Sequence, residues 1–224
     1  MQFLYGDREL LLKIADIFSA PVDVIVNPAN TDLMPIEGLA ARILEQGGET
    51  IRRECAQFIQ EHGALESGMV ALSSSGNLPY QAILHAVFPQ SGDGDEETKV
   101  MQAVSNSLKL CSMHGWNAIA FPDICQENDS VPIEVAAGGF FAAITSFWDA
   151  RLDEPPYRII ICLGEENFRP FFDAFRQASM MPGEEAHRQT FVTEPDEAVE
   201  TGVISLDEDE VQSLEGDDVS DWFK

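Results

Sequence analysis

Two asparagines, Asn27 and Asn30, stand at the end of the run V-D-V-I-V-N-P-A-N (22–30), with Pro28 stiffening the turn between them. Val22, Val24, Ile25 and Val26 are β-branched residues in a short run, as a strand inside a covered sheet requires. In open α/β sheets, ligands sit in the crevice outside the carboxyl ends of the strands. A strand that delivers two amides to that edge is the place to look for a site. Asn also closes turns through local hydrogen bonds, and on local sequence that reading of both residues stays open. Other chemistry is sparse. His85 lies in an apolar strand pattern and reads as a satisfied core histidine. Cys55, Cys111, Cys125 and Cys162 form no C-x-x-C pair and have no His at metal-ligand spacing, so they read as reduced thiols. No Ser–His–Asp set, metal cluster or P-loop is found, and no cofactor is expected.

The elements that must position these residues alternate. Strands are expected over 2–5, 22–27, 69–72, 82–88, 117–121 and 158–163, while 9–17 reads as a helix turn or, in preference, a strand ending near Asp16. Helices are expected over 36–46, closed by Gly47-Gly48; over 49–62, with Ile51, Cys55, Phe58 and Ile59 on one face; and over 99–114. Two more run from Pro132 to about Trp148 and over 167–178. Alternation from residue 22 onward predicts an α/β fold with a mostly parallel sheet covered by helices on both faces.

Composition limits the partners. The chain has 224 residues, with 13 basic and 39 acidic side chains for a net charge of −26. That argues against binding duplex nucleic acid, where Lys and Arg must replace condensed counterions, and against docking on an anionic membrane. Residues 184–224 hold 14 of the acids and 2 basic residues. Apolar periodicity ends near Pro182, so 183–224 is expected to be a disordered acidic tail after a domain at 1–182. The amino terminus has no signal-peptide pattern, and no apolar run approaches a bilayer span. A soluble, cytoplasmic chain is expected.

Taken together, a series of short motifs resembles the macrodomain family. These are Asp16-Ile17, I-V-N-P-A-N, Gly38, Glu54-Cys55, Gly63, Gly68, Leu78-Pro79, I-L-H-A-V (83–87), Asn106-Ser107-Leu108, Gly115 and A-I-A-F-P (118–122). The resemblance covers about residues 9–178. It implies a three-layer α/β/α sandwich that binds ADP-ribose and, in some members, hydrolyses ADP-ribosyl linkages. By this resemblance Asp16 accepts a hydrogen bond from the adenine amino group, and Ile17 supplies the backbone contact beside it. Asn30 contacts the distal ribose, and Asn27 braces its turn. Phe168 lies near the edge where the family places an aromatic against adenine.

Two departures from the family pattern bear on chemistry. The family's three-glycine run aligns with Ile36-Glu37-Gly38, so only Gly38 is kept, and Ala40 stands where one class of hydrolase has its water-activating Asp. Alanine can neither move a proton nor orient water. The family's glycine-rich diphosphate loop aligns with C-Q-E-N-D-S (125–130), which places Glu127, Asn128 and Ser130 against the ligand. Each like charge there, from Glu127 or Asp129, is expected to cost about 1–4 kcal/mol against a diphosphate. The expectation is a binding module for ADP-ribose or a related adenine nucleotide, without hydrolase activity. One alternative is an active ADP-ribosyl hydrolase or phosphoesterase, with Glu37 or Glu127 supplying a carboxylate. The other is an interaction protein whose tail docks Val219, Trp222 and Phe223 on a protein partner.

Overall fold

The structure is a computed structural model and describes residues 1–34, 37–90, 92–127, 131–151, 153–179 and 190–192. The chain opens with β1 (Gln2–Tyr5) and β2 (Arg8–Ile14), then a one-turn 3-10 helix (Ile17–Ser19) and β3 (Val24–Ala29). Helices α1 (Gly38–Gly47) and α2 (Glu49–His62) follow, then β4 (Val70–Ser74) and β5 (Ala82–Val87). Next come α3 (Glu96–Met113), β6 (Ala118–Phe121), α4 (Ile124–Glu127), α5 (Ile133–Ala150), β7 (Arg158–Leu163), α6 (Glu165–Ser179) and β8 (Thr190–Val192).

The eight strands form one sheet in the order β4-β5-β3-β6-β7-β2-β1-β8. The five inner strands, from β5 to β2, pair in parallel, while β4, β1 and β8 pair antiparallel. Continuous apolar runs make sense here because both faces are covered. On β3, Val24 and Val26 pack with α3, α5 and α6 on one side, while Ile25 packs with α1 and α2 on the other. β7 does the same: Ile159 and Ile161 join the first layer, Ile160 and Cys162 the second. This is the expected three-layer α/β/α fold with a mostly parallel sheet.

Several boundaries differ from the sequence expectation, each for a local reason. The organising strand starts at Val24 and runs on to Ala29, through Pro28. β6 pairs only with Val24 and Ile25, so beyond them β3 has an unpaired flank where a missing N–H breaks no ladder bond. Helix α3 begins three residues before the expected Lys99, with Glu96 and Glu97 in its first turn, where acids favour the helix dipole. The loop after Phe121 opens with the short α4. Residues 190–192, expected in the tail, form β8 against β1. The other residues of the expected tail, including Val219, Trp222 and Phe223, lie outside the described residues.

Candidate functional site

The carboxyl ends of β2 and β3 lie on one edge of the sheet because the two strands run parallel within it. Just past β2, Asp16 caps the turn Ile17–Ser19, its carboxylate accepting from the Phe18 N–H at 3.1 Å. Its other oxygen accepts from Arg42 Nη2 of α1 at 2.5 Å. Burial alone would raise the Asp16 pKa, but the Arg42 and Phe18 hydrogen bonds and the Arg42 charge outweigh it and hold the carboxyl below its ordinary range. Ile17 is buried in the core, and its carbonyl accepts from Tyr80 O–H at 3.2 Å and from Ala20 N–H at 3.0 Å. The turn is therefore fixed from below while Asp16 faces outward.

The second wall is the loop after β3 and the start of α1. Asn30 is exposed, and its amide grips one residue: Oδ1 accepts from Met34 N–H and Nδ2 donates to the Met34 carbonyl, both at 2.9 Å. Turn closure is thus what Asn30 does in the free chain. Gly38 opens α1 at φ +62, and Glu37 caps it in extended backbone without a side-chain capping hydrogen bond. Ala40 follows in the first turn.

Beneath this wall lies a buried polar cluster. Asn27, 4% exposed, sits inside β3 rather than in the turn, and its Nδ2 meets Nδ1 of His85 on β5 at 3.1 Å. With that amide donating, the ring proton belongs on Nε2, which faces Ser73 Oγ at 2.8 Å and Cys55 Sγ at 3.5 Å. Burial lowers the His85 pKa to about 4, so the ring is neutral at pH 7. Burial, then the Glu54 charge, pushes the Cys55 thiol up to about 11. The Asn27 Oδ1 has no hydrogen-bond partner among the described residues. Asn27 lines a small crevice with Leu33, Ala40, Arg52, Cys55 and His85. His85 is thus a core group at the floor of the site.

The remaining side of the edge is built by β6 and β7. Asp123, just past β6 and 6% exposed, accepts from Cys125 N–H at 3.1 Å, Gly164 N–H at 2.9 Å and Asn167 Nδ2 at 3.0 Å. It ties the end of β6 to the start of α6. Phe168 packs half-buried against the core from the first turn of α6. Glu127 closes α4, its side chain outside the described residues, and Asn128 and Ser130 lie outside them entirely. So Asp16, Ile17, Asn30 and Gly38 share the edge, with Asn27 beneath it. Sequence reasoning missed Phe18, Arg42, Tyr80 and Asp123. Only Asp123, a carboxylate right after a strand and a proline, carried a local signal. Among the described residues, no group of three His, Cys, Asp or Glu is placed to hold a metal, and no helix is long and apolar enough to cross a membrane.

The macro domain model matches residues 26–139, the span from β3 into α5. The chain belongs to the macro domain family. An O-acetyl-ADP-ribose deacetylase of Cronobacter sakazakii is 31% identical over 170 residues, covering 75% of this chain and 94% of that protein. An uncharacterised protein of Pyrobaculum aerophilum is 32% identical, covering 79% of this chain and 96% of that one. Among solved structures, the Oceanobacillus iheyensis macrodomain with ADP superposes with a TM-score of 0.72 at 23% identity, over 79% of this chain and 95% of that one. The matched stretch spans nearly the whole length of each of these proteins.

Proposed function

We propose that this macro domain takes an ADP-ribose-class ligand at the edge formed by β2, β3 and α1, and hydrolyses an acetyl ester carried on its distal ribose. The observation that carries this reading is the convergence of Asp16 with the Asn30–Gly38 wall on one sheet edge, in a chain 31% identical to a deacetylase over most of its length. The deacetylase relatives weigh toward the hydrolytic alternative and against a module that only binds. Asp16 accepts the amino group of the base. Asn30 trades its hold on Met34 for a ribose hydroxyl.

Ester cleavage needs a base for water, and Ala40 is not one. Glu37, three residues earlier, is the carboxylate beside it: it caps α1 from extended backbone at the start of the same helix. Glu37 takes the proton from water as it attacks the acetyl carbonyl. The acyl C–O bond then breaks, Glu37 returns that proton to the ribose oxygen, and acetic acid leaves and ionises to acetate in solvent.

Acetate release from O-acetyl-ADP-ribose tests this directly. Wild type turns over; Glu37→Gln lowers kcat by about 10²–10⁴-fold, the usual weight of a general base. Asp16→Ala acts mainly on KM. A second reading, a module that binds without hydrolysis, is favoured by Ala40 and by the closed Asn30–Met34 contact. ADP-ribose binding with no acetate release would select it.

A further inference from the structure

Asp16 is already engaged in the free chain, and by a residue on the opposite wall. Arg42 reaches from α1 to the turn after β2, pairing with Oδ2 while its guanidinium lies over the Phe18 ring, 4.8 Å from the centroid. Phe18 serves both partners: its N–H holds the other carboxylate oxygen, and its ring carries the cation. The pair joins residues 26 apart in sequence and so ties the turn after β2 to α1. Both side chains are about half exposed, 49% for Arg42 and 47% for Asp16. Ion pairs of that exposure hold weakly, so a ligand can open this one.

We infer that Arg42 is a specificity-determining residue that selects phosphate-bearing ligands over bare nucleosides. The inference rests on the reading that Asp16 accepts a hydrogen bond from the base. Any base must first displace Arg42, and a nucleoside offers the freed guanidinium nothing in return. A nucleotide offers phosphate oxygens, which a planar guanidinium binds with paired charge-assisted hydrogen bonds. Arg42 thus opposes the base and favours the phosphates. It also gives this acidic protein a cation for a dianion.

The test is calorimetric titration of the full chain with adenosine and with ADP-ribose, for wild type, Arg42→Ala and Asp16→Ala. Removing Arg42 should tighten adenosine binding about two- to five-fold, the scale of an exposed pair. It should weaken ADP-ribose binding about ten-fold or more, collapsing the preference between the two. If Arg42→Ala changes both ligands alike, or neither, while Asp16→Ala abolishes binding, the inference falls and the base-recognition reading stands. If Asp16→Ala leaves both affinities intact, or if no variant binds either ligand, that reading falls and takes the inference with it.

Discussion

At the residue scale, burial decides what the floor of the site can do. His85 is held neutral, its pKa lowered to about 4 from an ordinary 6.5, because the charged ring cannot be hydrated inside the sheet. Between those values the unfolded chain takes up a proton that the folded chain refuses. Stability therefore falls as pH drops from 6.5 toward 4, by about 3 kcal/mol in all. Urea unfolding at pH 7 and pH 4.5 checks this. Wild type should lose about 2–3 kcal/mol more than His85→Gln over that interval, and parallel losses would mean that the ring titrates freely. The strand pattern around His85 already pointed to a core role, since every neighbour is apolar. Asp16 was legible only through its motif. Arg42 was not legible: a lone arginine on an amphipathic helix gives no sign that it reaches back across 26 residues to a carboxylate.

At the scale of elements, the alternation of strand and helix was readable because both faces of the sheet are covered, so apolar runs mark strands and 3.6-residue stripes mark helices. What escaped were features set by neighbours. β3 extends through Pro28 because β6 stops pairing at Ile25, and β8 exists because the antiparallel edge of β1 accepts it. Neither fact is written in the segment itself. The junction of α1 with the turn before β5 gives a sharp test. Gly76 has φ +60, and a Cβ there would overlap the Gly47 carbonyl oxygen, which accepts from Asn77 N–H at 2.9 Å. Gly76→Ala combines left-handed strain with a clash against backbone that cannot move aside. It should cost about 2–3 kcal/mol in denaturant unfolding. A loss under 1 kcal/mol would mean that the turn relaxes freely.

At the scale of the whole molecule, one strand, β8, lies beyond the point where apolar periodicity ends. Residues 1–193 form one compact unit that includes β8. A chain ending at residue 193 should keep the stability of the full protein. One ending at 182 leaves the outer edge of β1 unpaired, and should lose about 1–2 kcal/mol or associate through that edge. Thermal unfolding with light scattering separates the two. The charge of −26 argues against duplex nucleic acid as a ligand, and we propose the edge built from β2, β3 and α1 as the place for a small molecule. This edge, we propose, takes ADP-ribose through Asp16. Calorimetric titration of the full chain with ADP-ribose, beside Asp16→Ala, measures it most directly. Saturable binding that weakens at least ten-fold in the variant is the predicted result. No heat from folded wild type, or equal binding by both proteins, would contradict it.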